Sequence, residues 1–333
     1  MNRTESRLQS LRAFAPVAIA GLISGTLYLS SALAPLYLIP IQIVHGQGGR
    51  KRGAISAVSA AVLIAIAIAV RLAREGSLTA ATLGASIAPP LVFLGALVFV
   101  NAPFWARIPA TYRVLAVAAA CTLAAIPAVS GLGRDDGFAT FMESRLKAAM
   151  APIKEQVGDQ SYDDSALAAA LDPKALAAMT MKVLVSSYGA FLVLILGGSL
   201  WIGNRAAGWR NQGGARTAPL SAYRVPYALV WAFLAAWSAV LAALLTHANV
   251  AAQAAAWNCA LAFSLPYAVQ GVGIASSFFI RWKMPRFTRI AIAATAIVAL
   301  VTPTAGVVVA VALPLLGVTE VWIPYRNPKG VGA

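Results

Sequence analysis

NCALAFSLPYAVQGVGIASSFFIRWKMPRFTR, residues 258–289, is the stretch from which the rest of the chain is read. It stays apolar for longer than a bilayer core is thick. Pro266 and the run Gln270-Gly271-Val272-Gly273 lie near its middle, and Arg281, Lys283, Arg286 and Arg289 close it. A helix of roughly 20 residues crosses the hydrocarbon, so the stretch reads as a membrane span, broken and polar halfway, with a basic inner end. Proline removes a backbone donor and glycine permits close backbone approach. In lipid, the carbonyls so freed need partners in neighbouring helices or in a wet cavity. A site is therefore expected at this break.

Composition extends that reading to the whole chain. Of 333 residues, 60% are hydrophobic and only 11% charged, with a mean hydropathy of +0.76. No ordinary water-soluble domain of this length tolerates such values. The formal net charge of +15 would suit a nucleic-acid partner if the basic residues shared one soluble face. They lie instead in short loops between apolar runs, which is the positive-inside pattern of a multi-pass membrane protein. Cys121 and Cys259 fall inside apolar runs without metal-ligand spacing and read as packing residues.

Working outward, residues 13–29 follow Arg3, Arg7 and Arg12 and read as a retained first span. Its Gly21 and Gly25 form a GxxxG face open to another helix. Basic clusters on both sides of residues 13–45 require an even number of crossings between them, so a hairpin of two short or tilted helices is expected there. Gly46–Arg52 would be its polar inner loop. His45 and Gln42 sit at its inner end and read as interfacial hydrogen-bonding groups rather than ligands. Further spans are expected over 54–70, 80–100, 111–131, 181–203 and 225–246. The apolar run from 289 to 322 is too long for one crossing and should turn at Thr302–Gly306. The fold class is thus an all-α transmembrane bundle of about eight full spans plus short or broken helices, up to ten crossings, with both termini inside.

Residues 134–182 break the pattern. They hold eight of the eleven acids and read as an extracytoplasmic insertion between the two halves of a single integral membrane domain. Apolar residues recur at helical spacing over 137–157, as in an amphipathic helix lying on the membrane. Asp172 followed by Pro173 reads as the start of a helix that runs on into the next span. The clustered acids lack cation-loop spacing and read as solvated surface, so no metal site is expected.

Residues 258–279 followed by LPLLGVTEVWIPYRNPKG, residues 313–330, resemble the C-terminal half of the YybS-like bacterial membrane proteins, a domain-of-unknown-function family. The shared pattern is an Asn, an aromatic and Gln-Gly in one span, then Leu-Gly, an acid and a basic end. Here these are Asn258, Tyr267, Gln270, Gly271, Leu316, Gly317, Glu320 and Arg326. APLYLIPIQIVHGQGG, residues 34–49, resembles the family's Ala-Pro-rich start. Glu320 stands where Asp is usual, and the Gly48–Gly53 loop is unusually basic. The resemblance implies a distant grouping with membrane transporters, among them the substrate-binding subunits of energy-coupling-factor importers. It carries no catalytic activity with it.

No catalytic set emerges from the residues themselves. The two histidines, His45 and His247, belong to no metalloprotease motif, and there is no nucleophile elbow and no phosphate-binding loop. The expectation is therefore a non-enzyme without cofactor or metal, whose partners are the lipid bilayer, a small-molecule solute and other membrane proteins. Small-solute binding or transport is the first reading; a non-transporting scaffold for envelope assembly or cell morphogenesis is the alternative. Asn258, Tyr267, Gln270 and Gly271 are the expected substrate-binding residues, lining a polar cavity; the alternative for Gln270 is that its amide bonds a carbonyl of a neighbouring helix. Glu320, an acid within an apolar run, is expected either to pair with a basic residue, Arg326 or an Arg of the 281–289 cluster, or to sit at the inner interface and mark a helix end.

Overall fold

The computed structural model describes residues 3–30, 32–76, 78–132, 147, 173–210, 219–281, 290–291, 294–295, 298 and 302–326. Its helices are α1 (Arg3–Leu29), α2 (Ile39–Arg74), α3 (Ala80–Val100), α4 (Ala110–Leu132), α5 (Pro173–Arg210), α6 (Leu229–Leu245), α7 (Val250–Arg281) and α8 (Pro303–Thr319), with short 3-10 turns at Ala34–Leu36, Pro103–Trp105 and Leu220–Ala222. Among the described residues there is no strand. Among the described residues, four helical stretches are long and apolar enough to cross a membrane: Ala34–Arg74, Thr82–Val100, Ala175–Trp209 and Val250–Arg281. Ala15–Leu29, Ala110–Ala125, Leu229–Leu245 and Thr304–Thr319 are apolar but shorter. Large apolar side chains such as Ile66, Leu123, Leu241 and Val307 lie exposed on the outer faces. In water they would be a liability, whereas lipid tails solvate them as well as other helices do.

Two expectations change in the folded chain. The span expected to break at Pro266 is a single helix, Val250–Arg281. Proline costs about 3 kcal/mol in a helix interior, but here α5, α6 and α8 all pack on α7, and such packing lets a membrane helix run through a proline. The expected loop at Gly46–Arg52 is helical apart from Gly49, whose φ of 76° and ψ of −177° bend α2. Only glycine adopts that conformation without strain. The two arms fold together across the bend, so that a Cβ on Gly53 would lie 2.8 Å from the Cβ of His45. The N-terminal hairpin is thus one long helix, α1, and one short arm ending at Gly49, rather than two short helices. The helix read as starting at Pro173 and running on into the next span is α5, of which 173–182 form the first turns. The amphipathic helix read over 137–157, and the Asp172 cap, lie outside the described residues.

Packing follows small residues. A Cβ on Gly21 would strike the Ser59 hydroxyl, and one on Gly25 the Leu63 side chain, so the GxxxG face of α1 serves the second arm of α2. The largest core joins α2, α3, α4 and α5 through Leu38, Ile41, Ile64, Leu97, Val117, Leu192 and Leu196. Tyr37 is buried against it and donates to the Pro90 carbonyl at 3.0 Å, supplying a partner inside the doubly proline-interrupted α3. A second core gathers α6, α7 and α8 around Tyr267.

Candidate functional site

Gln270 lies on the buried side of α7, 4% exposed, and every polar atom of its amide is engaged. Its Oε1 accepts from the Val225 amide at 2.6 Å. Its Nε2 donates to the Gly317 carbonyl and to Glu320 Oε2, both at 3.0 Å. Glu320 follows the end of α8 and meets Arg326 by a two-pronged contact, Nε to Oε1 at 2.8 Å and Nη2 to Oε2 at 2.6 Å. Arg326 Nη1 then donates to the Ser221 and Tyr223 carbonyls at 2.6 and 2.8 Å. Three chain segments, α7, the end of α8 and the 221–225 connection, are thereby tied at one point. A guanidinium fork is suited to this because its donors lie in one plane and bond a carboxylate in parallel.

The glycines permit the closeness. A Cβ on Gly271 would strike the Leu313 carbonyl, and one on Gly317 the Tyr267 carbonyl, so α7 and α8 meet backbone to backbone. Tyr267 is 1% exposed, with its ring 5.2 Å from that of Phe233 at 65°. Its hydroxyl is buried without a hydrogen-bond partner among the described residues.

Asn258 is not part of this group. It stands 12 residues earlier on α7, roughly 18 Å along the axis, and bonds α5 instead. Its Oδ1 accepts from the Gly189 amide at 2.7 Å, while its Nδ2 donates to the Val185 and Ala254 carbonyls at 2.6 and 2.8 Å. The four residues expected to bind substrate therefore divide. Gln270, Tyr267 and Gly271 sit at the α7–α8 contact and Asn258 at the α5–α7 contact, and the amides of Gln270 and Asn258 are bonded to protein groups.

Open volume lies elsewhere. A cavity of about 420 Å³ forms between the bend of α2 and the end of α3, lined by Gln42, His45, Arg50, Lys51 and Asn101 with apolar walls that include Ile41, Leu97 and Pro103. Its floor is an amide network. Gln42, 1% exposed, donates from Nε2 to Asn204 Oδ1 of α5 at 2.8 Å and accepts at Oε1 from Asn101 Nδ2 at 2.8 Å. Asn101 also donates to the Leu97 carbonyl at 2.9 Å, capping the end of α3. A Cβ on Gly203 would come within 2.6 Å of the Gln42 side chain, so α5 presses the amide into place.

Sequence reasoning placed Gln42 and His45 at an interface and passed over Asn101 and Asn204. The available signal was that each amide sits at the end of an apolar run. The spacing between those runs does not reveal that the three meet. Among the described residues no group of three or more His, Cys, Asp or Glu side chains is arranged to hold a metal ion.

Residues 17–318 match the family of predicted membrane proteins designated DUF2232, and the chain belongs to that family. No curated protein and no solved structure matches it.

Proposed function

We propose that this member of the predicted membrane protein family binds a small solute in the cavity at the α2 bend and serves as a transporter or as the binding subunit of one. The observation that supports this reading is the cavity itself: mostly apolar walls over the amides of Gln42 and Asn101, which Asn204 braces from α5, with Arg50 and Lys51 at the rim, in a size range suited to a small molecule. Active transport would draw on a partner ATPase or an ion gradient, since the sequence holds no phosphate-binding loop. The likeness to energy-coupling-factor binding subunits supports it only as fold-level analogy. The protein is placed in the bacterial cytoplasmic membrane with both termini inside, up to ten crossings and residues 134–182 outside, on the Lys/Arg asymmetry of its connections.

The scaffold reading draws on a different observation. Gln270, Asn258, Glu320 and Arg326 are engaged by protein groups, as they would be in a protein whose task is to hold shape for partners. A thermal-shift screen of the purified chain against vitamins, amino acids and phosphorylated metabolites, run beside a pull-down, separates the two. A stabilising ligand whose effect is lost in Gln42→Leu supports solute binding, and a stoichiometric protein partner without any such ligand supports the scaffold. Labelling of single cysteines introduced at Asp163 and Gly213 tests the orientation: reagent from outside should reach the first and miss the second.

A further inference from the structure

The cavity at the α2 bend has a charge pattern that narrows what it can take. Arg50 and Lys51 bring two cations and His45 an imidazole, and no carboxylate lines the wall. The carboxylates among the described side chains are Glu75, which is paired with Arg71 at 2.9 Å, and Glu320, which is paired with Arg326. Glu75 stands 24 residues beyond Lys51, roughly 36 Å along α2, and Glu320 follows α8. The positive charge at the cavity is therefore not neutralised from within its own wall.

The amides do not compete for a ligand, because Gln42 and Asn101 hold each other and Asn204. They make a rigid floor and leave the rim donors to meet what enters. Most of the lining is apolar, from Ile41, Ala54, Leu97, Val98, Ala102 and Pro103. Arg50 and Lys51 are exposed and solvated, so a neutral solute would gain nothing from their charge. An ammonium or other cation would be repelled.

We infer that this cavity binds a phosphate-bearing anion, held by Arg50 and Lys51 with its less polar part against the Leu97–Pro103 wall. Phosphate suits the rim better than a single carboxylate because it brings more charge and more acceptor oxygens to a rim that carries both a guanidinium and an ammonium. The same chemistry is carried by an anionic lipid headgroup and by a water-soluble phosphorylated solute. Basic pockets between membrane helices are known to take the first. The inference rests on the reading that this cavity binds a ligand, and it adds the ligand's class.

The test uses the full chain in nanodiscs of phosphatidylcholine. One arm titrates inorganic pyrophosphate and follows binding calorimetrically. The other exchanges in phosphatidylglycerol and counts retained lipid by native mass spectrometry. Arg50→Gln/Lys51→Gln is compared with the charge-matched Arg71→Gln/Arg74→Gln, which lies at the far end of α2. Arg50→Lys/Lys51→Arg serves as the charge-keeping variant, so that a folding defect in the first pair does not pass for a lost contact.

The expected result is a loss of affinity on the order of tenfold to a hundredfold in the Gln pair, in at least one arm. The control pair should change less than about twofold, and the charge-keeping pair should retain most of the binding. Loss confined to the lipid arm identifies a headgroup, and loss confined to pyrophosphate a soluble ligand. Equal loss in the Gln and control pairs, or wild type that takes up neither probe, overturns the inference. If wild type then still binds an uncharged solute in a Gln42-dependent way, solute binding stands without the anion. If it binds nothing, both readings fall.

Discussion

Arg326 and Glu320 face each other through two parallel bonds of 2.8 and 2.6 Å, each side chain only 7% exposed. Burial sets this pair apart from an exposed ion pair, because losing one partner strands the other away from water. A buried carboxylate without its cation costs about 3–5 kcal/mol. Arg326→Met should approach that loss, because Glu320 would keep only Gln270 as a donor, and the Ser221 and Tyr223 carbonyls would lose theirs. Glu320→Gln should cost less, about 1–3 kcal/mol, since Arg326 keeps both carbonyls and one amide oxygen. Denaturant midpoints in detergent check the order. Equal midpoints for wild type and Arg326→Met would contradict it.

Gln270→Leu removes three hydrogen bonds and leaves the Val225 amide without its acceptor. A loss of about 1–3 kcal/mol is expected, read as a lower melting temperature. Binding at the α2 cavity should persist in whatever fraction remains folded, because the cavity is lined by residues of α2, α3 and the turn after it. Full loss of binding with unchanged melting would return the ligand site to α7.

Glycines separate by what surrounds them. Gly317→Ala would drive a methyl group into the Tyr267 carbonyl, and Gly271→Ala into that of Leu313, so each should part α7 from α8 and destabilise by about 1–3 kcal/mol. Gly95→Ala meets nothing within 4 Å. It should be neutral, or stabilising by up to about 1 kcal/mol through helix propensity. Size-exclusion profiles after graded heating would distinguish the two kinds of position.

Gly49→Ala tests the bend that shapes the cavity. No atom obstructs the added methyl group, so any effect comes from the backbone, whose φ of 76° and ψ of −177° disfavour an L side chain by about 1–3 kcal/mol. Ligand binding and thermal stability should fall together. Unchanged stability would mean that α2 straightens without penalty.

Helical class and the extent of the apolar segments are legible in the order of the amino acids, because a bilayer demands long uncharged runs and leaves little choice of backbone. Gln270 and Glu320 are equally legible as residues needing partners, since an amide or carboxylate in an apolar run is conspicuous. Which partners they take is not. Val225 and Gln270 are 45 residues apart, and Gln42 and Asn204 are 162 apart, and hydrophobic periodicity carries no information about which helices become neighbours.

The sequence by itself determined that this chain is an all-helical membrane protein with polar groups lodged among its spans. Tertiary structure alone decided that Pro266 leaves α7 unbroken, that Gly49 rather than Pro266 bends the chain, and that the open cavity lies under Arg50 and Lys51. The physical reason is that solvent acts on each segment separately, so apolar length is written locally. Satisfaction of a buried amide, tolerance of a proline and the position of a void depend on what three or four distant helices place around them.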